Sequence, residues 1–403
     1  MVYYSFSSAA LSMRPSEIRS LFSVVNRPEV ISLAGGMPNL KHMPFNEIAS
    51  TVGSDIREHG EKMWQYSNAQ GDKRLREQIL EITALEEVES DVDNIIACTG
   101  SQQALDFVTR VFINPGDVIL SEAPNYVGAL GAFLAYNAEI RNSPMDDQGL
   151  IPSELEKTIN QVHSEGKTIK FLYTIPNFHN PAGVTMSLER RPQILEICKQ
   201  NNILILEDNP YGLLGFESQT LPAIYSFDYD ASLGYAPSVI YLGSFSKIIA
   251  PGLRVGWIIA PDLIRDRLVL SAESALLCPS QFAQMTVSSY LEHFDWKAQI
   301  NEYRSMYKSN FQVMKRALND FLPDLHYNEP HGGFYVWLEL PNGVDAKKLL
   351  PIAVEKGVAF VPGTGFFSNG EGSNYVRLSF CYPNEDEIYE GIRRLADALV
   401  AYK

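Results

Sequence analysis

Lys247 lies in a segment, residues 243–256, whose residue types are suited to covalent chemistry. A lysine forms an imine with an aldehyde or a ketone through its neutral amine. Two hydroxyls, Ser244 and Ser246, and the guanidinium of Arg254 accompany it, and these groups suit a phosphate bound beside the imine. Pyridoxal phosphate carries both an aldehyde and a phosphate, so the segment is compatible with this cofactor. A lysine beside serines is also typical of a solvated loop, and the segment alone does not decide between the two interpretations.

Polar side chains also follow three strand-like segments elsewhere in the chain. Ser101 and Gln102 come after Gly100 and open a helix, whose first N–H groups form an anion site. Asp208 follows an apolar run, and Asn180 stands in an Asn-Pro-x-Gly sequence. Taken singly, these residues also fit a helix cap, a salt-bridge partner and a turn. Ligands of doubly wound sheets bind beyond the carboxyl ends of the strands, so we expect these side chains to converge on one site.

The elements that must position these residues alternate between strand and helix from about residue 94 to residue 260. Such alternation predicts an α/β domain with a mostly parallel sheet that is covered by helices on both faces. Helices are predicted from apolar residues at helical spacing, as at Ala104, Leu105 and Val108. The predicted strands are residues 94–98, 117–120, 169–174, 203–207, 239–242 and 255–260, and the predicted helices are residues 101–113, 127–136 and 188–200.

The pattern becomes mainly helical after about residue 262, and the last part of the chain indicates a smaller α+β domain. A chain of 403 residues is too long for one compact core, so at least two domains are expected. We predict an N-terminal arm over the site (residues 1–30), a large α/β domain (31–290) and a small C-terminal domain with a long connecting helix (291–403). The elements predicted here are helices 262–276, 282–293, 296–321, 346–355 and 385–398 and strands 334–338 and 375–380.

The composition excludes several classes of function. A formal net charge of −15 opposes non-specific binding to nucleic acid, which depends on neutralising phosphates. The four cysteines lie far apart, which favours a reduced, cytoplasmic setting over a disulfide scaffold. Because charged residues interrupt the N-terminal segment, we predict neither a signal peptide nor a membrane span. The seven histidines show no metal-ligand spacing, and we expect no metal site.

In combination, these motifs resemble those of the fold type I aminotransferases that use pyridoxal phosphate. The resemblance is to the branch of kynurenine/2-aminoadipate and aromatic amino-acid aminotransferases in particular. It runs in order from residues 32–38 to Arg377 and so covers nearly the whole chain. It implies the α/β PLP-dependent transferase fold, in which helices sandwich a mostly parallel, seven-stranded-type sheet and a smaller α+β domain follows. It also implies a homodimer with shared active sites.

The resemblance implies a role for each candidate residue. Lys247 would form the imine with pyridoxal phosphate and then carry protons as general base and acid. Asp208 would keep the pyridine nitrogen protonated, and Arg377 would bind the α-carboxylate of the substrate. The other implied residues are Asn180 and Tyr211 at the phenolic oxygen, Tyr126 on the ring face, Ser101, Gln102, Ser244, Ser246 and Arg254 at the phosphate, Tyr66 from the partner subunit, and Gly36 at the substrate.

The substrate is less narrowly defined than the cofactor. The resemblance implies glutamate, 2-aminoadipate, an aromatic or a branched-chain amino acid as donor, with 2-oxoglutarate as acceptor. Arg19 is the candidate for binding a distal carboxylate, and a solvated helix face is the open alternative. His179 stands before Asn180, where many relatives carry glutamine. We expect this departure to alter the pocket beside the ring without removing the cofactor.

Two other functions remain open at this stage. A transcription regulator can use the same fold as a sensor of pyridoxal phosphate, but it needs an additional DNA-binding domain, and the acidic charge opposes DNA binding. A lyase that performs β-elimination can use the same scaffold, because a fold does not determine the reaction. Amino transfer that depends on a 2-oxo acid would indicate the aminotransferase, and release of ammonia with pyruvate would indicate the lyase.

Overall fold

A mixed, mostly parallel sheet of eight strands forms the centre of the molecule, in the order β2-β9-β8-β7-β6-β3-β4-β5. The computed structural model describes residues 4–7, 10–11, 13, 27–217 and 220–402. The strands of this sheet are β2 (Ile95–Cys98), β3 (Val118–Ala123), β4 (Glu139–Asp146), β5 (Gly149–Leu150), β6 (Ile169–Thr174), β7 (Leu204–Asp208), β8 (Val239–Ser244) and β9 (Gly256–Ile259).

Only β9 and the two-residue β5 run antiparallel to their neighbours. The inner strands are rich in aliphatic residues and are buried on both faces; every residue of β8, for example, is buried. Burial on both faces is typical of parallel strands between two helical layers. The α/β fold class is confirmed, and β5 extends the expected seven-stranded arrangement by one short edge strand.

Helices cover both faces of this sheet and continue into the C-terminal part. In chain order they are α1 (Phe45–Trp64), α2 (Lys73–Thr83), α3 (Ser101–Phe112), α4 (Val127–Ala135), α5 (Pro152–Ser164), α6 (Arg190–Gln200), α7 (Ile224–Asp228), α8 (Asp262–Leu276), α9 (Gln281–His293), α10 (Trp296–Phe321), α11 (Ala346–Glu355) and α12 (Glu385–Ala401). In the parts of the chain that the structure describes, no helix is both long and apolar enough to cross a membrane.

The C-terminal part contains a three-stranded antiparallel sheet in the order β10-β13-β12. Its strands are β10 (Tyr335–Glu339), β12 (Val361–Pro362) and β13 (Tyr375–Ser379). A separate parallel pair joins β1 (Ile31–Ser32) to β11 (Val358–Ala359), so the chain before α1 contacts the C-terminal part. The division of the chain at residues 30 and 290 stays a prediction.

The sequence predicted most elements from residue 94 onward, but it assigned none to α1, α2, α5 or β4. Leu155, Ile159 and Val162 of α5 are buried at helical spacing, so its signal was present in the sequence. Strand β4, next to the short edge strand β5, is polar along much of its length and contains Pro144, which hides it from a search for apolar runs.

Candidate active site

Lys247 lies in the loop that follows β8, at the carboxyl end of that strand. Its Nζ donates a hydrogen bond to the backbone oxygen of Gly36, 2.8 Å away. Burial, together with the positive charges of Arg377 and Arg254, lowers the pKa of the Lys247 amine to about 8. At a given pH, a larger fraction of this amine is therefore neutral, and nucleophilic, than of the amine of a solvated lysine.

A cavity of about 280 Å³ opens beside this amine and brings together almost all of the sequence-predicted residues. The predicted residues in its wall are Gly36, Ser101, Gln102, Tyr126, Asn180, Asp208, Tyr211, Ser244, Ser246, Lys247, Arg254 and Arg377. Met37, Ile175, Pro210, Pro251 and Tyr335 complete the lining. The structure thus places side chains from both sheets around one space, while their chemical roles stay predictions.

Asp208 is the last residue of β7 and is 2% exposed. Its Oδ2 accepts a hydrogen bond from the hydroxyl of Tyr173, 2.9 Å away. Its Oδ1 is buried and has no hydrogen-bond partner among the described residues. Burial raises the pKa of this carboxyl to about 7, which the Tyr173 bond only partly offsets. A cationic N–H group in the cavity would supply the missing partner and stabilise the carboxylate.

Hydroxyl, guanidinium and helix N–H groups meet at one side of the cavity. The hydroxyl of Ser244 lies 2.9 Å from that of Ser246, and Arg254 Nη1 donates to Ser246 Oγ at 3.2 Å. Helix α3 begins at Ser101 without a side-chain cap on its first N–H groups. Gly100 before it has a φ of 78°, and a Cβ there would lie 2.3 Å from Arg254 Nη2. The arrangement is that of an anion site, because it combines a helix N-terminus with a permanent positive charge.

Tyr126 and Gln102 lie next to this anion site. Tyr126 precedes the first residue of α4 and is half-buried, with its side chain in the wall of the cavity. The amide of Gln102 donates to the backbone oxygen of Gly128 at 2.8 Å, which ties the start of α3 to the start of α4. An aromatic ring held in this way offers a flat surface to a ring-shaped ligand.

Arg377 of β13 lies on another wall of the cavity and is 1% exposed. Its Nη1 donates to Asn180 Oδ1 at 2.9 Å, and its Nη2 donates to the backbone oxygen of Ala34 at 2.8 Å. Its Nε has no hydrogen-bond partner among the described residues. The guanidinium also lies 4.2 Å from the centre of the Tyr335 ring. A buried guanidinium without a carboxylate partner is suited to binding the carboxylate of a ligand.

Tyr335 is a cavity residue that the sequence analysis missed. Its ring packs edge-on against that of Tyr211 with the ring centres 6.1 Å apart, and burial raises the pKa of both phenols. A Cβ on Gly36 would lie 2.1 Å from the Tyr335 hydroxyl, so only glycine fits there. In the sequence, Tyr335 is only one aromatic residue of a predicted strand, without a pattern that marks it as a cavity residue. Its position depends on the packing of β10 against the segment around Gly36.

One predicted site residue lies elsewhere. Tyr66 is 76% exposed and lines a separate surface depression with Lys62 and Gln281. Arg19 lies outside the described residues. Within the ranges that the structure describes, no three His, Cys, Asp or Glu side chains are grouped so as to hold a metal ion.

The comparisons with known proteins agree with this geometry. Residues 28–395 match the model of the family described as "Aminotransferase class I and II". The chain is similar to the aromatic-amino-acid aminotransferase 1 of Thermococcus litoralis, with 41% identity over 397 residues, which are 98% of this chain and 94% of the relative.

Two solved structures are similar to the chain along nearly its whole length. One is the kynurenine aminotransferase of Pyrococcus horikoshii in complex with PMP, with a TM-score of 0.91 and 38% identity over 98% of this chain and 97% of the other. The second is the alpha-aminoadipate aminotransferase of Thermus thermophilus complexed with N-(5'-phosphopyridoxyl)-L-leucine. Its TM-score is 0.90 and its identity 35%, with the same two shares of the chains covered.

Proposed function

Because the chain belongs to the aminotransferase class I and II family, we propose that it moves an amino group from an L-amino acid to a 2-oxo acid in two half-reactions, a ping-pong cycle. The donors proposed are glutamate, 2-aminoadipate, an aromatic or a branched-chain amino acid, and the acceptor is 2-oxoglutarate. One observation carries the proposal: a single cavity contains the amine of Lys247, the carboxylate of Asp208 and the guanidinium of Arg377.

The cofactor is pyridoxal phosphate, whose aldehyde condenses with amines and whose ring takes up the electron pair released at the substrate's α-carbon. The residues present fit this group on three points. Asp208 Oδ1 is a buried acceptor without a partner among the described residues. The start of α3 with Ser244, Ser246 and Arg254 forms an anion site, which we call the phosphate end of the cavity. Because its pKa is lowered to about 8, the Lys247 amine has a much larger neutral fraction near physiological pH than a solvated lysine has.

Lys247 has two tasks in the proposed cycle. Its Nζ would hold the cofactor through the aldehyde carbon. As a free amine, the same Nζ would act as general base at the substrate's α-carbon and as the general acid that gives the proton back. A pKa of about 8 suits both transfers, because a general base works best when its pKa lies near the working pH.

Asp208 holds the ring nitrogen in its protonated form through Oδ1. The Tyr173 hydroxyl fixes the other oxygen of the carboxylate, so Asp208 can present Oδ1 in a constant orientation. Tyr126 covers the face of the ring, and Asn180 and Tyr211 bind its phenolic oxygen. At the phosphate end, Gln102 joins Ser101 and the residues named above.

The opposite side, which we call the carboxylate end of the cavity, is formed by Arg377, Asn180, Gly36 and Tyr335. Arg377 binds the α-carboxylate of the substrate and orients the amino acid, so that its α-proton points toward Lys247. Because this guanidinium holds the α-carboxylate of the substrate, that carboxylate is not the group that leaves the α-carbon. The same orientation therefore favours proton removal and disfavours decarboxylation.

We propose a homodimer in which Tyr66 completes the phosphate end of the partner's cavity. Tyr66 and its neighbour Trp64 are mostly exposed in the single chain, and the apolar side chains of Leu276 and Leu277 are also exposed. Mixing Lys247→Ala chains with Tyr66→Phe chains tests the sharing of sites. Mixed dimers contain one cavity with both native residues, so activity should rise above that of either variant. Purely additive activity would contradict the shared site.

The side chain of the donor would contact Met37, Ile175 and Pro210, the apolar part of the cavity wall. We propose that Arg19 binds the distal carboxylate of glutamate or 2-aminoadipate. Arg19→Ala should then weaken the use of these two donors selectively. An equal loss for leucine and glutamate would contradict this role. We also propose a reduced, cytoplasmic location, which the four free cysteines support.

The absorption spectrum of the purified protein, loaded with pyridoxal phosphate, tests the proposed function. A visible band that is lost on addition of one donor and returns with 2-oxoglutarate would support transamination and rank the donors. A band that persists with every donor would contradict it and favour a sensor. Release of ammonia with pyruvate would favour the lyase, and a protein that gains no band with pyridoxal phosphate would refute the assignment of the cavity.

A further inference from the structure

We propose that Glu122 and His179 form a buried pair that positions Asn180 and, through Asn180, the guanidinium of Arg377 for binding of the substrate's carboxylate. The proposal rests on the function proposed above, since it takes Arg377 as the carboxylate-binding group. Neither Glu122 nor His179 lines the cavity. Both are therefore positioning residues and not catalytic residues.

Glu122 lies near the carboxyl end of β3 and is 2% exposed. Its carboxylate receives hydrogen bonds from the hydroxyl of Thr174 at 2.7 Å and the backbone N–H of Ile175 at 2.8 Å. The Nε2 of His179 lies 3.4 Å from Glu122 Oε2. Thr174 and Ile175 donate to the carboxylate, and the imidazole contacts the oxygen that accepts from Ile175. Burial raises the pKa of Glu122 to about 7, and the bonds from Thr174 and Ile175 partly offset this rise. One side chain thus joins the end of β3 to the end of β6 and to the turn that follows it.

His179 presents one proton, and the structure assigns it to Nε2. Burial lowers the pKa of the imidazole to about 3, so the ring is neutral at physiological pH. The backbone N–H of Ala182 donates to His179 Nδ1 at 3.3 Å, which makes Nδ1 the acceptor. The remaining ring nitrogen, Nε2, carries the proton and faces Glu122. The imidazole therefore connects the inside of the turn to β3.

The turn that holds Asn180 has an unfavourable backbone and is tightly packed. Phe178 has a φ of 49°, in a region that bulky residues rarely occupy. A Cβ on Gly183 would lie 2.7 Å from the backbone oxygen of Tyr335, so the turn lies directly against β10. Such conformations persist where the surrounding structure holds them. Strand β10 restrains one side of the turn, and Glu122 restrains it through His179.

Asn180 transmits the position of the turn to Arg377. Its Oδ1 accepts from Arg377 Nη1 at 2.9 Å, and the other fixed point of the guanidinium is the backbone oxygen of Ala34. Loss of the Glu122–His179 contact would loosen the turn and leave Arg377 held at one point. Binding of a carboxylate is sensitive to such a change, because bidentate contacts require a defined orientation of the guanidinium.

The experiment compares His179→Phe, Glu122→Gln and the double variant, each loaded with pyridoxal phosphate. We expect His179→Phe to raise both the KM of the amino donor and the calorimetric Kd of 2-oxoglutarate about tenfold, with kcat changed by less than about threefold. The affinity for pyridoxal phosphate should change less than the Kd of 2-oxoglutarate, because the phosphate end is untouched. The double variant should be no worse than the worse single variant. His179→Gln should restore most of the loss, since its amide can still donate to Glu122.

Asp228→Asn is the matched control. Asp228 is another buried carboxylate with two donors, Lys199 Nζ at 2.8 Å and the backbone N–H of Ser238 at 2.6 Å, and it does not line the cavity. This variant should lower Tm and leave the KM and the Kd unchanged.

An unchanged Kd of 2-oxoglutarate in His179→Phe would overturn the proposal. So would a parallel loss of Kd, kcat and cofactor affinity that follows Tm, because that pattern indicates a merely structural pair. If Glu122→Gln fails to fold, the KM of the donor and the Kd of 2-oxoglutarate in His179→Phe and His179→Gln still test the proposal. If the wild-type chain transfers no amino group, the proposed function fails, while the calorimetric Kd continues to test the pair.

Discussion

The two ends of the cavity are built in different ways. At the phosphate end, Ser244, Ser246 and Arg254 belong to one short segment that also contains Lys247. Their mutual bonds span at most eight residues of sequence. The start of α3 is the distant contribution, and Arg254 also donates to the backbone oxygen of Thr99 before it. This end is therefore built mainly from one segment, and Arg254 in it is exposed in the single chain.

At the carboxylate end, every contact joins distant parts of the chain. Arg377 is bonded to Asn180 and to Ala34, and Tyr335 lies against Gly36. These groups are buried, so an error in the packing of one segment displaces the others. The difference suggests that changes at the phosphate end act mainly on the cofactor. Changes at the carboxylate end should act mainly on the substrate.

Lys247 connects the two ends, because it lies in the segment of the phosphate end and donates to Gly36 of the carboxylate end. Its loss should have the largest effect. Lys247→Ala removes the covalent bond to the cofactor and the proton carrier, so we expect kcat to fall by a factor of about 10³ or more. The phosphate end remains, so part of the bound cofactor should be retained. Turnover and cofactor content are measured together. Lys157→Ala, which removes an exposed lysine paired with Glu154, is the control and should leave both unchanged.

Substitutions of Arg254 and Arg377 directly test the proposed difference between the phosphate end and the carboxylate end. Arg254→Lys should weaken cofactor binding and leave the KM of the donor unchanged at saturating pyridoxal phosphate. Arg377→Lys should keep the cofactor and raise the KM by about 10–100-fold, the range for loss of a hydrogen bond to a charged group. Cofactor titrations and steady-state kinetics on both variants check this. The comparison would be wrong if the two variants showed the same profile.

The same difference decides what the sequence could predict. The phosphate end, Lys247 and Asp208 follow recognisable local patterns, and the structure places them in one cavity. Helices α8, α10 and α11 have the predicted bounds, and in α10 the buried side chains recur at helical spacing along the whole helix. Tyr335, Glu122 and the contact of His179 depend on packing between segments, for which a single sequence contains no local signal. The roles of Tyr66 and Arg19 stay predictions.

The pH dependence of cofactor uptake tests Lys247, the residue that connects the two ends of the cavity. The folded protein lowers the pKa of the Lys247 amine to about 8, so its neutral fraction falls as the pH drops below that value. The rate at which the cofactor-free protein regains its visible band should rise about tenfold per pH unit up to about pH 8 and then level off. A rate that keeps rising toward pH 10 would indicate a solvated lysine.

Tyr335→Phe should have the smallest effect and the most specific one. The change removes only the hydroxyl, which interacts with the phenol of Tyr211, and it keeps the ring that packs against Arg377. Loss of one neutral hydrogen bond corresponds to about 0.5–1.5 kcal/mol, or roughly a two- to tenfold change in kcat/KM. Because Tyr211 is proposed to bind the phenolic oxygen, the pH midpoint of the visible band should also shift. An effect on the KM without a shift of that midpoint would assign Tyr335 to the carboxylate end alone, whereas both effects together would make it the link between Arg377 and Tyr211.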